Sequence, residues 1–478
     1  MTPIKFAWRC RLEKRSNGVG ALIGNMTLSL LAQELGGELL GEDVMFSNIS
    51  TDTRSLKSGD LYLALVGENF DGNNFVDEAA RAGAGSAVIS REVASQLPAL
   101  RVTDTHVALG KIANLNRQRS AAIVIALTGS QGKTTVKEML GSILNNSADC
   151  LATEANLNNT IGVPLTLLKV EQKHEYAVIE MGANAAGEIA FSVATAEPDI
   201  ALITNASTTH LEGFGSLQGV VVAKGEIIDG LKSDGVMVLN SDDPYVEDWS
   251  VRAAGKRCVR FSYENAEGDA QYFASQIVEQ KDGASSFNLH TPKGEQALSI
   301  RLFGKHNVLN AVAASAVAIE AGARLVDVAE GLVKLNPVSG RLSRLTGMNG
   351  CHLIDDSYNA SPGSFTAAID VLSKLSGKKF LVMGDMGELG TDSDSAHRKV
   401  GEYAAAAGLD ALWTTGEKSK LATASCAGKG RHFETKEELI EALAGITNSD
   451  LTILIKGSHG TKMNEVVTAL KIDGETQC

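Results

Sequence analysis

The sequence contains no apolar run approaching the roughly 20 residues that a membrane-spanning helix needs, so no membrane span is expected. Its six cysteines (Cys10, Cys150, Cys258, Cys351, Cys426 and Cys478) are scattered and form no C-x-x-C pair. That distribution argues for a reducing compartment, and a cytoplasmic protein is expected. The N-terminus has basic residues but no continuous apolar segment of the kind a signal peptide carries. Positive charge is in short supply: 44 basic residues against 57 acidic ones give a formal net charge of −13. Such a chain gains nothing from counterion release on nucleic acid unless it carries a local basic patch. The one dense basic stretch, Lys5 to Arg15, is too short to supply it, and no nucleic-acid partner is expected. Neither H-E-x-x-H nor G-x-S-x-G occurs, and there is no cysteine/histidine cluster, which weakens protease, esterase and zinc-enzyme readings.

Proline is also scarce, with 8 residues against 48 glycines, and aromatics make up only 5%. This balance suits an α/β protein with many tight strand-to-helix turns. At 478 residues the chain exceeds what one hydrophobic core serves. Three α/β units are expected, over 26–105, 106–338 and 339–478. Residues 1–25 are set apart, because "MTLSLLAQELGG" from Met26 reads as a natural start. In the first unit "GDLYLALVGENFDG" alternates Leu61, Leu63 and Leu65 ahead of a glycine-rich turn. In the second, "AAIVIALTGS" reads as a buried parallel strand. The helix after it carries Val136, Met139, Leu140, Ile143 and Leu144 on one stripe. "EYAVIEMGA", "DIALITNAS" and "GVMVLNSDD" are further strands, and residues 269–304 read as antiparallel hairpins within this unit. After "NPVSGR" the α/β rhythm restarts with "CHLIDDSYN", "KKFLVMGDMGELG", "LDALWTTG" and "LTILIKGSHG". Polar residues close most of these strands, where open α/β sheets bind ligands.

The stretch "LTGSQGKTT", Leu127 to Thr135, has the chemistry of a phosphate cradle but not the usual spacing. G-x-x-x-x-G-K-[ST] would need glycine at position 127, where Leu127 stands. Backbone N–H groups of a glycine turn opening a helix bind phosphate oxygens, and the helix dipole adds favourable potential. Lys133 would supply a point charge and the Thr134 hydroxyl a magnesium ligand. The alternative is a strand–turn–helix whose glycines only permit close packing; the strand before and Lys-Thr-Thr after favour phosphate. Glu180, closing "AVIEMGA", is either a solvated strand end or an acid that holds a metal, and the upstream loop favours the metal. Spacing alone promotes neither His210 nor Lys224. Asp355 and Asp356, adjacent like charges at a strand end, are either compensated by a cation or donors or form a capping pair at a turn.

Together these segments resemble the Mur ligase family, the ATP-dependent amide-forming enzymes of peptidoglycan precursor synthesis. "TGSQGKTT" is similar to that family's own T-G-x-x-G-K-[ST] loop, and "IEMGA", "ITNASTTHLEGFGSLQGVVVAKGEII", "LNSDDP", "GKHNVLNAVAA" and "SGR" follow in its order. The resemblance runs from Met26 to about Thr468. It implies an N-terminal UDP-substrate-binding α/β domain, a central P-loop-type parallel-sheet ATPase domain and a C-terminal Rossmann-like α/β domain. "TEANLNNTIGVPLTLL", "LIDDSYNASPGSFTAAI" and "VMGDMGELG" resemble the member that adds D-alanyl-D-alanine to UDP-N-acetylmuramoyl-tripeptide.

The resemblance also implies roles. Thr128, Gly129, Ser130, Gln131, Gly132, Lys133, Thr134 and Thr135 would hold ATP. Asn310 would face the adenine, and Arg341 and Asp356 would meet the nucleotide when the third domain closes. Thr134, Glu180, His210 and a carbamylated Lys224 would belong to the Mg²⁺ sites, with Lys133, Glu180, His210 and Lys224 as the catalytic set. Thr53 and Arg54 would lie near the UDP end of the substrate and Asn158 and Asn159 near its muramoyl-peptide. Tyr358 and Asn359 would form part of the dipeptide pocket. A monomer is expected. The sequence departs from the family at "TDTR", and at His459, where arginine is common after "KGS"; residues 1–25 match nothing in it. The rivals are a neighbouring ligase of the same fold, a folylpolyglutamate synthase, or a P-loop ATPase that regulates a partner. The D-N-P-R motif typical of the preceding peptidoglycan ligase is absent.

Overall fold

The computed structural model describes residues 22–472 except 68, 209–210, 266–267, 281–282 and 336–337. Residues 1–21 of the N-terminal extension therefore lie outside the described residues. Leu22 and Ile23, grouped with that extension on sequence, are both buried. The Leu22 N–H donates to the Ser47 carbonyl at 2.8 Å and that of Ile23 to Asn116 Oδ1 at 2.8 Å.

Three main sheets carry the chain. The first has five strands in the order Glu38–Leu40, Ala99–Arg101, Ser86–Ile89, Leu61–Leu63, Ile49–Ser50, parallel except for the first. Period-2 alternation holds in Leu61–Leu63, but neither face is wet. Leu61 and Leu63 enter one core, while Tyr62 enters another and donates its hydroxyl to the Gly72 carbonyl at 3.0 Å. Tyr62 has an apolar body and a polar tip, so it can be buried wherever that tip finds an acceptor.

The second sheet has nine strands. Cys150–Ala152, Tyr176–Glu180, Ile123–Thr128, Ile200–Ile203, Val236–Asn240, Arg257–Ser262 and Tyr272–Glu279 run parallel in that order. Ser285–Thr291 and Gly294–Ile300 then extend the edge as antiparallel hairpins. The strands at its centre are continuous apolar runs because helices cover both faces. On one side, helix Lys133–Leu144 buries Val136, Met139, Leu140, Ile143 and Leu144 completely. It packs there with the alanine-rich helix Lys305–Glu320 and with Leu325–Lys334. The last contact is very close: a Cβ on Gly331 would lie 2.5 Å from Ile143 Cα.

The third sheet has six strands in the order Ser343–Thr346, His352–Asp356, Leu451–Lys456, Lys378–Met383, Ala411–Thr415, Gly430–Phe433, parallel except for the first. The pleat separates the two aspartates at the end of His352–Asp356. Asp355 turns to the inter-sheet linker and accepts the Gly340 N–H at 2.9 Å, the Ser339 hydroxyl at 3.4 Å and the Ser357 N–H at 3.1 Å. Asp356 accepts the Leu342 N–H at 3.2 Å and Lys456 Nζ at 2.7 Å. Both sequence alternatives are realised, one by each residue: a turn cap and a cation-compensated acid.

No described helix is long and apolar enough to cross a membrane. The cysteines Cys150, Cys258, Cys351 and Cys426 are free. Because Gly331 meets backbone rather than a side-chain tip, Gly331→Leu must push two helices apart. It is expected to lower the thermal midpoint by roughly 4 °C or more in a calorimetric scan, the scale of an overpacked core; an unchanged midpoint would contradict this packing.

Candidate active site

The carboxyl ends of the second and third sheets face each other across a cavity of about 670 Å³. From the second sheet it is lined by Ser130–Lys133, Thr135, Asn158, Asn159, Glu180 and Asn205, with His306 and Asn310 above them. Across the gap stand Arg341, Asp356, Tyr358, Asn359, Gly387–Leu389, Lys456 and Ser458–Gly460. This is where doubly wound sheets gather ligands.

The glycine turn is built by its neighbours. Gly129 has φ +150°, and a Cβ there would sit 1.9 Å from Thr204 Oγ1. Gly132 has φ +81°, with Asn310 Oδ1 only 2.5 Å from where its Cβ would be. Glycine is required at both for conformation and for space. The strand end after Ile203 braces the turn from the side. Thr204 Oγ1 donates to the Gln131 carbonyl at 2.6 Å, Gln131 N–H donates to Asn205 Oδ1 at 3.0 Å, and Ser130 N–H donates to the Asn205 carbonyl at 3.0 Å. No side chain caps the helix that opens at Lys133, so its first N–H groups point at the cavity unclaimed. Thr128 is not turned that way; its hydroxyl donates to the Met181 carbonyl at 2.7 Å. Lys133 folds back, with Nζ 2.6 Å from the Gly129 carbonyl. Burial holds its pKa below the usual lysine value; the Glu180 carboxylate opposes this and the Arg341 charge adds to it.

Glu180 is 1% exposed. Its Oε1 accepts Asn158 Nδ2 at 2.7 Å and the Thr134 hydroxyl at 3.3 Å, while Oε2 is buried with no partner. An orphaned carboxylate oxygen beside a threonine hydroxyl is the chemistry of a hard-cation site. Among the described residues no three His, Cys, Asp or Glu converge on one point. A Mg²⁺ here would therefore complete its shell with phosphate oxygens and water, as this ion commonly does.

The third sheet contributes charge from the opposite wall. Arg341 lies 4.1 Å from the Tyr358 ring centroid and donates through Nη2 to Thr134 Oγ1 at 3.2 Å, which bridges the two sheets. Gln131 Nε2 donates to Ser361 Oγ at 3.3 Å and makes a second bridge. Lys456, fully buried, donates to Asp356 Oδ2 and, at 2.9 Å, to the Asn359 carbonyl. Burial raises the Asp356 carboxyl above its ordinary range, against the pull of Lys456. Burial, with Lys456 repulsion, pushes the His306 imidazole down to about 4, so it stays uncharged at neutral pH.

Other expected residues stand apart from this cluster. Lys224 is 1% exposed and does not line the cavity; its Nζ lies 5.5 Å from the Phe214 ring centroid. Burial, with Lys133 repulsion, pushes its pKa to about 7. Thr53 and Arg54 are not on the cavity wall. Thr53 donates to Glu78 Oε1 at 2.6 Å, and Arg54 forms a bidentate pair with Asp52. Asn159 spends its Oδ1 on the N–H groups of Ile161 and Gly162, at 3.2 and 2.8 Å, so only its amide nitrogen remains for a ligand. His210 lies outside the described residues. The residues that sequence reasoning missed are Thr204, Asn205, His306 and Lys456. Their signal was the polar closure of the strands and the "GKHN" helix start, but their partners are remote in sequence.

The glycine turn, the buried acid and the cationic second wall meet at the seam of two α/β units, an arrangement suited to handling a phosphate-bearing ligand. Three family models match the chain: "Mur ligase family, catalytic domain" over residues 45–120, "Mur ligase middle domain" over 127–318 and "Mur ligase, glutamate ligase domain" over 340–459. The chain belongs to the Mur ligase family. It is 43% identical to the UDP-N-acetylmuramoyl-tripeptide–D-alanyl-D-alanine ligase of Escherichia coli (strain K12), covering 94% of this chain and 99% of that one. Its fold is similar to MurF from Acinetobacter baumannii, with a TM-score of 0.86, 36% identity and coverage of 93% and 98%. A Thermotoga maritima MurF ligase in complex with ADP superposes with a TM-score of 0.77 at 26% identity, covering 88% and 96%.

Gly129→Ala is expected to weaken ADP binding more than tenfold by titration calorimetry, because the turn must open or Thr204 must leave it. The far-ultraviolet circular dichroism should stay unchanged. Retained affinity would contradict the part assigned to this turn.

Proposed function

We propose that this protein joins D-alanyl-D-alanine to UDP-N-acetylmuramoyl-tripeptide at the expense of ATP, through an acyl phosphate. The observation that carries the reading is the seam itself. One wall presents an uncapped glycine turn, Lys133 and the unpaired Glu180 oxygen; the other presents Arg341, Tyr358 and Lys456. Full-length similarity to enzymes bearing that name supports the choice of substrates.

A carboxylate is a poor electrophile in water, and phosphorylation of the tripeptide's terminal carboxylate supplies a leaving group. The turn amides and Lys133 hold the triphosphate, and Lys133 must release the Gly129 carbonyl to do so. Glu180 and Thr134, with His210, are the residues that would hold Mg²⁺, whose chemistry is to neutralise charge on the transferring group. Asn310, pressed on Gly132, stands at the end of the turn where the nucleoside would lie. Asp356 and Arg341 reach the nucleotide from the third sheet. Asn158 and the Asn159 amide face the muramoyl-peptide, and Thr53 and Arg54, outside the cavity, mark the UDP end. The amine of the dipeptide then attacks the acyl carbon from the third-sheet wall, beside Tyr358 and Asn359, and inorganic phosphate leaves. Enclosure between two sheets limits the hydrolysis that would waste ATP.

Lys224 is assigned a carbamate. An ammonium sealed from water beside Lys133 is disfavoured, whereas the free amine that burial favours can react with carbon dioxide to give an anion. Lys224 does not line the cavity, so the carboxylate would act from behind its wall, replacing a charge that repels Lys133 with one that attracts it.

Phosphate release from ATP is expected only when both UDP-muramoyl-tripeptide and D-alanyl-D-alanine are present, with a pentapeptide product of the matching mass. Release indifferent to both would point instead to a regulatory ATPase. Lys224→Ala should lose at least about 100-fold in kcat, with partial recovery on adding short carboxylic acids. Full activity in the variant would rule out the carbamate.

A further inference from the structure

Behind the third-sheet wall lies a buried contact that the chemistry above does not use. After Met383 the chain turns through Gly384–Leu389 before entering helix Ser393–Ala406. Gly387, Glu388 and Leu389 line the cavity, whereas His397 on the helix does not. His397 is 0% exposed, and both ring nitrogens are engaged. The Met386 N–H donates to Nε2 at 3.0 Å, and Nδ1 lies 2.7 Å from the Ser393 carbonyl. A carbonyl only accepts, so Nδ1 carries the proton and Nε2 is the acceptor, which fixes the ring as one tautomer.

The loop it grips includes a backbone conformation that its surroundings must hold. Glu388 has φ +61°, a left-handed backbone that a non-glycine residue keeps only when its surroundings hold it. The Asp385 carbonyl, on the same peptide unit as the Met386 N–H, accepts the Ser458 N–H at 2.9 Å, and Asp385 Oδ1 accepts the Ser419 N–H at 2.8 Å. The bond to His397 and the bond from Ser458 thus grip opposite edges of one peptide plane, the last before Met386 leads into three residues that line the cavity.

We propose that His397 is a positioning residue for the incoming dipeptide: without touching the cavity it sets the Gly387–Leu389 wall against which the acceptor lies. This rests on the reading that the acceptor binds on the third-sheet side.

Three variants of the full-length enzyme separate the two ideas. An asparagine at 397 can keep the bond to Ser393 but cannot reach Met386, whereas a glutamine can place an acceptor near the Nε2 position. Gly387→Leu adds bulk to the wall itself; its Cβ would meet nothing closer than Ser458 at 3.7 Å, and its backbone is not left-handed. Steady-state KM for D-alanyl-D-alanine, KM for ATP, kcat and thermal midpoint are measured for each.

The expected result is a roughly tenfold rise in dipeptide KM for His397→Asn, with the ATP KM within about twofold, and near-normal values for His397→Gln. If His397→Asn does not fold, His397→Met, which fills the space without a bond to Met386, takes its place. Gly387→Leu raising the dipeptide KM while the His397 variants leave it unchanged would overturn the role of His397 and leave the acceptor wall standing. His397 variants that lower the thermal midpoint and shift all constants alike would overturn it too. An unchanged dipeptide KM in Gly387→Leu would overturn the acceptor wall and the proposal with it.

Discussion

A buried carboxylate with an oxygen left unanswered is a cost that the rest of a protein must be arranged around, and Glu180 is that carboxylate here. It closes a strand buried from Tyr176 to Glu180 and is itself 1% exposed, on the wall of the cavity. One oxygen is satisfied by Asn158 and Thr134, and the other is buried without a partner. Lys133 and Arg341 supply the nearby positive charge, and each is needed elsewhere: Lys133 by the turn, Arg341 by the seam. Such a cluster is stable enough to persist and incomplete enough to want a cation and an anion together. A triphosphate with its metal ion would satisfy both demands.

The second constraint is that the site belongs to two sheets. Arg341 reaches Thr134, and Gln131 reaches Ser361, while behind these polar bridges Phe303 packs into the core of the third sheet. The linker between them is clasped by Asp355 at Gly340, whose φ of +77° and closeness to Tyr358 leave no space for a side chain. That pairing sets where the second wall begins. Asp356, one residue on and on the opposite face of the pleat, couples the same strand to Lys456 and to the cavity. A short stretch of chain thus positions both the linker and an acid of the cavity wall.

The parts of this arrangement legible in the sequence are those governed by short-range periodicity. The apolar run before Gly129 and the stripe from Val136 to Leu144 appear in the structure as a central buried strand and a fully covered helix face. The switch to antiparallel hairpins near residue 270 was equally plain. The braces were not: Thr204 and Asn205 hold Gln131 from more than 70 residues away, and Lys456 holds Asp356 from 100 away. No local pattern encodes such a partner, although a polar residue closing an apolar strand marks where to look. Asp355 and Asp356 were recognisable as a pair, and strand pleating explains why they divide between two tasks. Asn159 shows the converse, since a residue placed by its motif gives half its hydrogen bonding to the backbone beside it.

In the proposed reaction this seam activates a carboxylate by phosphorylating it before the amine arrives. The most direct test labels the terminal carboxylate of UDP-muramoyl-tripeptide with heavy oxygen, supplies ATP and D-alanyl-D-alanine, and weighs the phosphate released. Acyl-phosphate chemistry predicts one heavy oxygen transferred to each phosphate, because the carboxylate oxygen leaves with the phosphoryl group. Product formed with phosphate that carries no label would contradict it.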